Sequence, residues 1–518
     1  KGTTTGTVTD QDGNFSLTNI STGATLVFSF VGMKTQELEV AEQSTFNIIL
    51  EEDAIGIEEV VAIGYGTKKK SHLTGSVESV NTGVLENRPV KSVTEALQGV
   101  VPGLNVDLTD GAPESDPNLN IRGFTGFDKD NKPEQKGPLV LVDGIELTLS
   151  DINPNDVESI SVLKDAAASA IYGSRAPYGV ILIKTKSGKR NEKIKVNYNG
   201  NLRFGSPINL PSWVDSWVAA EKFNEGRRNM LQGPVYGDEV IQRMKDYGAG
   251  LIEDNNISRP DGSWGAHFDA HANTDWFAKT MRSTVPSQQH NFSFSGGSNN
   301  TSYYMGLGYN ESVGIFKGIG DYKDRYNALL KVNTDATEWL NLSLGMNYIK
   351  TDEQGPNGGT GRDYNTFFNG MSRSWPNWPD INPNGSPHWL SSVPLLQGKL
   401  GSEGKIRNIS TVTGGLLITP IKNWEINGQY TWKHADENYE RITLPLTVIR
   451  ANGTTRPSGR APNYSEVRRE FFASNYHTLD INTSYTKSIN NHNFLVMAGY
   501  QEEYFRSEKV IASNRDLY

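Results

Sequence analysis

Beyond about Lys193 the chain alternates apolar and polar residues with a period of two, stretch after stretch. Leu340, Leu342, Leu344, Met346 and Tyr348 share one face, and Asn341, Ser343, Gly345 and Asn347 the other. Trp424, Ile426, Tyr430 and Trp432 oppose Glu425, Asn427, Gln429 and Thr431 in the same way. Leu479, Ile481 and Tyr485 oppose Asp480, Asn482 and Ser484, and Tyr326, Ala328, Leu330 and Val332 oppose Arg325, Asn327, Lys331 and Asn333. This is the period of a β-strand, and it predicts roughly nine strands of about ten residues or more. The links alternate in length. Those at 296–301, 335–339, 420–423 and 488–492 are short; of those at 205–286, 314–324, 352–406 and 441–473, three are long.

Tight turns at one end and long loops at the other are the layout of a transmembrane β-barrel. The polar face carries full charges, and no partner core is in sight for the apolar face. Lipid outside and water inside satisfy both. A soluble sandwich with one wet face is the rival reading, but it gives no reason for one-sided loop lengths. Trp339, Tyr348, Trp424 and Trp432 fall near predicted strand ends, where interfacial aromatic girdles sit. No apolar run reaches the roughly 18–20 residues of a membrane helix.

The first half reads differently. Residues 1–52 hold short β-prone stretches at 7–8, 15–17, 26–30 and 46–50, with Asp10-Gln11-Asp12-Gly13-Asn14 as a turn between the first two. That turn lacks the downstream Glu of an EF-hand loop, so calcium is not expected there. In 53–70, acidic residues lead into Val60-Val61-Ala62-Ile63, then Gly64-Tyr65-Gly66 and three lysines. Such a strand can pair with another protein's sheet edge, or serve as a linker with a β-prone centre. Residues 71–190 read as an α+β domain. Ser92 and Glu95 form a capping box for a short helix. Strands are expected at 119–122, 139–142, 156–163 and 180–186, and an Ala-rich helix at 164–172 that Gly173 stops.

Composition narrows the function. The chain of 518 residues has a net charge of −9, against nucleic-acid binding, and no cysteine, which removes disulfides and thiol chemistry. His267 and His271 have helical metal spacing, but the surrounding residues read as loop and no Glu completes an HExxH motif. No metal, cofactor or catalytic constellation is expected. Trp375-Pro376-Asn377-Trp378-Pro379 and Trp389 offer flat faces that suit sugar rings or peptides, although anchoring a large loop explains them equally well. Trp213, Trp217, Phe223 and Trp276, in the first long loop, read as packing residues or as contacts to a partner lid.

A set of motifs in fixed order resembles the SusC-like TonB-dependent outer-membrane transporters. They are Glu59-Val60-Val61-Ala62-Ile63-Gly64-Tyr65-Gly66, Ala96-Leu97-Gln98-Gly99-Val100-Val101-Pro102-Gly103-Leu104, Ile121-Arg122-Gly123, Leu141-Val142-Asp143-Gly144, Ile152-Asn153-Pro154-Asn155-Asp156-Val157-Glu158-Ser159-Ile160, and the run from Val162 to Ala176. The resemblance implies a mainly β protein: a transmembrane antiparallel barrel with about nine of its roughly 22 strands present, an α+β plug and a small β-sandwich-like extension. It assigns 1–52 to part of a carboxypeptidase-regulatory-like domain, 53–70 to the TonB-contacting segment and linker, 71–190 to the plug, and 191–518 to the first part of the barrel. A further C-terminal half is then expected, from a longer chain or another one, because open sheet edges are costly in lipid.

By the same resemblance Glu59, Val60, Val61, Ala62, Ile63, Gly64 and Tyr65 contact TonB, which works with its inner-membrane energising complex. A SusD-like lipoprotein caps the barrel, and a bulky solute, an oligosaccharide before a peptide, is imported. The N-terminal domains lie in the periplasm and the long loops outside the cell. Trp375, Trp378, Trp389, Asp128 and Asp130 are candidate solute contacts, the two aspartates lying in a charged insertion at 127–136. A TonB-dependent signal transducer and a surface adhesin are the rival functions.

Overall fold

A computed structural model describes residues 6–516. Outside the description lie 8, 11–12, 19, 22, 30–34, 41–44, 51–59, 64–65, 70–76, 81–89, 91, 108–111, 114–116, 122, 124–125, 128–132, 135–136, 166–168, 319, 358–363, 387, 389–399, 458–462 and 490–491. Two compact units divide at residues 77 and 78.

In the first unit, β1 (Thr25–Phe28) and β2 (Gln36–Glu39) form an antiparallel pair. The turn at residue 10 closes as expected: Asn14 N–H donates to the Asp10 carboxylate at 2.7 Å, and Gly13, with φ of 85°, donates to the Asp10 carbonyl. The flanking stretches 15–17 and 46–50 are not strands, a correction to the sequence reading. β-Prone residues without a neighbouring strand have nothing to pair their backbone with. A second hairpin joins β3 (Val60–Ile63) to β4 (Gly66–Lys69), with Ile63 opposite Gly66.

The second unit opens with a mixed five-stranded sheet. In chain order its strands are β5 (Val77–Val80), then β10 (Leu139–Val142), β11 (Ile145–Glu146), β12 (Val157–Leu163) and β13 (Val180–Thr185). The order across it is β11-β10-β13-β12-β5. Two small antiparallel pairs lie between β5 and β10: β6 (Leu104–Asp107) with β7 (Asn118–Ile121), and β8 (Gly126–Phe127) with β9 (Pro133–Glu134). Helix α1 (Val93–Leu97) starts at Ser92, whose Oγ accepts from Glu95 N–H at 3.3 Å. Val93, Leu97, Ile160, Val162 and Ile181 are fully buried in one core with these strands, each worth about 1.5–3 kcal/mol. Of the expected Ala-rich helix, the described part is a 3-10 turn, Ala170–Arg175, broken by Gly173.

The rest is a nine-stranded antiparallel meander. Its strands are β14 (Lys195–Gly205), β15 (Val285–Gly297), β16 (Thr301–Val313), β17 (Tyr322–Thr337), β18 (Leu340–Pro356), β19 (Ser402–Ile421), β20 (Trp424–Thr443), β23 (Glu466–Ile489) and β24 (His492–Arg515). A small hairpin, β21 (Thr447–Ile449) with β22 (Thr455–Pro457), sits in the last long loop. All four expected tight links are present. Between Ile421 and Trp424 the turn needs only Lys422 and Asn423, and Asn423 takes φ of 71°, a left-handed conformation that Asn tolerates in hairpins.

The strands outrun the sequence reading, growing to 24 residues in β23 and β24. Trp339 and Trp424 stand at the tight-turn end, but Tyr348 and Trp432 lie mid-strand, eight or nine residues higher. At about 3.3 Å per residue and 40–45° of tilt, that spacing is roughly 20 Å, close to the height of an apolar membrane band. Leu342, Leu344, Met346, Tyr348 and Tyr430 are outward and exposed between these levels. Strands β14 and β24 each have one sheet neighbour among the described residues.

Candidate functional site

Three places carry functional geometry. The first is where the plug-like domain meets the inner wall of the sheet. The β10–β11 hairpin turns at Asp143 and Gly144, both left-handed (φ 49° and 88°), a turn that an Asp-Gly pair favours. This presents Asp143, whose carboxylate accepts from Thr185 N–H and Oγ1 (3.1 and 2.6 Å) and pairs with Lys331 at 2.9 Å. Two 3-10 turns follow, Leu149–Asp151 and Pro154–Asp156. Arg325 donates to the Ser150 carbonyl, Asn327 to the Asp151 carbonyl at 2.9 Å, and Arg407 pairs with the Asp151 carboxylate at 3.2 Å. The Tyr304 hydroxyl donates to Asp156 Oδ1 at 2.7 Å, while Asn153 donates to Oδ2 at 3.1 Å. Burial raises the Asp156 pKa, opposed by these two bonds and by Lys186 and Arg325.

Gly306 and Gly308 make room for that contact. A Cβ on Gly306 would clash with Asp156 Oδ1, and one on Gly308 would lie 2.6 Å from Asn153 Nδ2. Between domain and wall lies a cavity of about 380 Å³. Its wall side carries hydrogen-bonding groups at Asn327, Asn333, Ser343, Asn347, Thr411 and Gln429 beside Lys331, and Val142, Ile145 and Leu147 add apolar surface from the plug side.

The second place is the long-loop end. Helices α2 (Ser216–Asn229), α3 (Asp238–Gly248), α4 (Trp276–Thr280) and α5 (Tyr364–Arg373) lie here. All four links at this end feed one apolar core: Trp276, Phe277 and Met281 from the first, Phe316 from the second, Phe367, Met371, Trp378 and Leu400 from the third, and Leu446 from the fourth. The motif at 375–378 welds the first loop to the third. Trp276 Nε1 donates to the Trp375 carbonyl at 3.0 Å, and Asn377 Nδ2 to the carbonyls of His267 and Ala270. Thr274 N–H donates to the Pro376 carbonyl, and its hydroxyl to that of Trp378.

The expected solute contacts fall unevenly. Trp378 is 7% exposed and stacks on His388, and Trp375 meets Phe223 edge to face at 4.9 Å. The Trp378 ring is buried and the Trp375 ring partly buried in the packing between the loops. Asp128, Asp130 and Trp389 lie outside the described residues. Of the packing residues expected in the first loop, Trp276 is fully buried and Trp213, Trp217 and Phe223 border the loop cores. His267 and His271 point to different neighbours: His267 to Phe268, and His271 to Tyr247 and Asp254. Among the described residues there is no cluster of three metal-ligating side chains. Sequence reasoning missed Arg325, Asn327, Lys331 and Arg407; charges on the polar face of a strand pattern were the signal that could have found them.

The third place is the β3–β4 hairpin. Val60, Val61, Ala62 and Ile63 are in strand conformation; Glu59, Gly64 and Tyr65 lie outside the described residues. One edge of β3 is paired to β4, and β3–β4 is a two-stranded sheet.

A wall of alternating lipid-facing and lumen-facing residues with a globular domain docked on its inner face defines a plugged outer-membrane β-barrel. Residues 69–180 match the TonB-dependent receptor plug domain and residues 1–62 the CarboxypepD_reg-like domain. The chain is similar to SusC-like TonB-dependent receptors. It is 29% identical to the TonB-dependent receptor SusC of Bacteroides thetaiotaomicron over 98% of its own length and 48% of that protein's. It is also 29% identical to the TonB-dependent receptor P26 of Formosa agariphila, over 99% of this chain and 46% of that one. It thus spans about half the length of these relatives. Among solved structures it resembles the RagAB peptide importer in its open-open state, with a TM-score of 0.67, 23% identity, and coverage of 88% of this chain and 50% of that one, a likeness of fold.

Proposed function

We propose that the chain supplies the energy-coupling segment, the plug and part of the barrel of a TonB-dependent importer in the outer membrane. Residues 1–52, 53–70, 71–190 and 191–518 then serve as extension, coupling segment, plug and barrel wall. In lipid, β14 and β24 would each pair with a further strand, because an unpaired edge leaves backbone groups unsatisfied. TonB, energised from the inner membrane, would add a strand to the segment Glu59 to Tyr65, with β3 offering the edge that β4 leaves open. The extension would lie in the periplasm and the long loops outside.

The solute class we favour is an oligosaccharide. The observation that carries this is the row of amide and hydroxyl groups on the cavity wall beside the plug, where the wall's lysine, Lys331, is already paired with Asp143; such groups suit a polyhydroxylated solute. Asp128, Asp130 and Trp389 remain proposed solute contacts, while Trp375 and Trp378 shape the surface from beneath. A SusD-like lipoprotein would cap the loop end, where Leu231 (97% exposed), Ile208 and Leu251 present bare apolar side chains.

Two measurements test this. Val61→Pro removes a backbone donor from β3, and calorimetry should show binding of purified TonB C-terminal domain lost; unchanged binding would remove the coupling segment from the account. Cells relying on the full-length protein should grow on a malto-oligosaccharide mixture and not on a casein hydrolysate; the reverse would sink the glycan reading.

A further inference from the structure

The outer face of the sheet holds a hollow that solute import does not use. It lies across β14–β18 at the level of Tyr348, and its volume is about 390 Å³. Ala328 makes the space. This small side chain stands directly opposite Leu307 on β16 and Tyr348 on β18, with the rings of Tyr198, Phe292 and Tyr326 around it. The polar tips are engaged elsewhere: the Tyr198 hydroxyl hydrogen-bonds to His290 Nδ1 at 2.7 Å, and that of Tyr348 donates to Asn408 at 3.0 Å. The rings therefore offer carbon to the hollow, on the lipid-facing side and at the upper aromatic level, where acyl chains give way to headgroups.

From this point charge follows a fixed order along β18. Tyr348 borders the hollow, Lys350 comes next on the same face with its ammonium 5.9 Å from the centre of the Tyr326 ring, and Asp352 follows. Each step of two residues spans about 7 Å. Asp352 stands opposite Asp324, and Asp324 opposite Glu311, so three carboxylates lie side by side across three strands. Like charges placed directly opposite on a sheet face destabilise it. Gln288 donates to Glu311 and the Tyr309 hydroxyl to Asp324, but neither brings positive charge. The neighbouring Lys323 and Lys405 pair with Glu353 on the other face. Among the described residues no ion pair reaches Glu311, Asp324, Asp352 or Lys350.

An apolar hollow, then one cation, then a row of carboxylates matches an aminophospholipid read from acyl chain through phosphate to ammonium. We propose that β14–β18 hold one molecule of such a lipid, of the phosphatidylethanolamine type. Its chain lies beside Ala328, its phosphate meets Lys350, and its ammonium sits on Glu311, Asp324 and Asp352. Charge complementarity selects this occupant: an anionic headgroup without an ammonium would place its phosphate against three carboxylates with a single lysine to offset them. The site is outside the lumen, so it holds whichever solute is imported.

Native mass spectrometry of the full-length protein in detergent tests this. The protein is given equal amounts of phosphatidylethanolamine and phosphatidylglycerol with matched chains, in the presence of EDTA. One phosphatidylethanolamine should stay bound in preference to phosphatidylglycerol. Glu311→Gln, Asp324→Asn and Asp352→Asn together should cut that preference by about tenfold, the combined effect of three partly exposed charge contacts. Equal retention of the two lipids, or an unchanged preference in the triple variant, would overturn the proposal.

Two further arms separate the rivals. Phosphatidylglycerol retained better than phosphatidylethanolamine once magnesium replaces EDTA would give the carboxylate row to a divalent cation, and the lipid assignment would fall. Ala328→Trp fills the hollow from a lipid-facing position and leaves every charge in place. It should abolish retention of the bound phosphatidylethanolamine, and unchanged retention would show that no chain lies there. Should the triple variant fail to assemble, Ala328→Trp decides the question.

Discussion

At the scale of the residue, burial decides what the loop histidine and the plug aspartate do. His388 is buried against Trp378, and burial, helped by His267, pushes its pKa down to about 3 from an ordinary value near 6.5. The unfolded loop therefore takes up a proton first as pH falls. Stability contributed by neutral His388 is complete above about pH 6.5 and is lost progressively toward pH 3. Hydrogen exchange in 374–388 should accelerate between pH 7 and pH 4 beyond the intrinsic trend, and His388→Asn should flatten that dependence. Asp156 is the opposite case, since burial favours its neutral form while Tyr304 and Asn153 still need an acceptor. Asp156→Ala should destabilise the plug by about 1–3 kcal/mol by stranding those donors. Asp156→Asn, which keeps an acceptor, should cost less than half as much in thermal unfolding. Neither partner was legible in the sequence, because Tyr304 lies 148 positions from Asp156 and no local pattern joins them.

At the scale of the element, periodicity carried far. The alternation in β17, β18, β20 and β23 and all four tight links follow from residue order, because a strand's two faces meet different solvents along its whole length. Leu344→Arg, placed between the aromatic levels on the outer face, should cost about 2–4 kcal/mol in lipid. Arginine at Ser343, beside it on the lumen face, should cost far less in urea titrations of bilayer-embedded protein. The short stretches at 15–17 and 46–50 read as strands for the same compositional reason but are not strands. A run of three or five residues has no face to define until a neighbour arrives. The tryptophan motif at 375–378 was open between binding and anchoring for a related reason. An indole suits either, and residue order does not say that Trp378 is buried while Trp375 is only partly so. Trp378→Ala should open a cavity worth about 3–5 kcal/mol and expose 356–402 to limited proteolysis.

At the scale of the molecule, the motifs that marked the plug were legible because backbone demands fix them: the left-handed Asp143–Gly144 turn, the Asn153 cap and the break at Gly173 each require those residues. The docking of plug on wall was not, since it depends on which lumen charge faces which carbonyl. The height of the wall was also hidden, because the alternation fades where both faces meet water. That height has a consequence. Twenty-four residues at about 3.3 Å each, inclined by some 40–45°, rise nearly 60 Å, more than twice the thickness of the apolar band. Along β23 and β24, roughly half the wall then stands as a parapet beyond the apolar band. A molecule drawn in at that rim travels a protein-lined shaft before it reaches acyl-chain depth, so changing the lipid should leave capture untouched, while changing the parapet's inward charges should not.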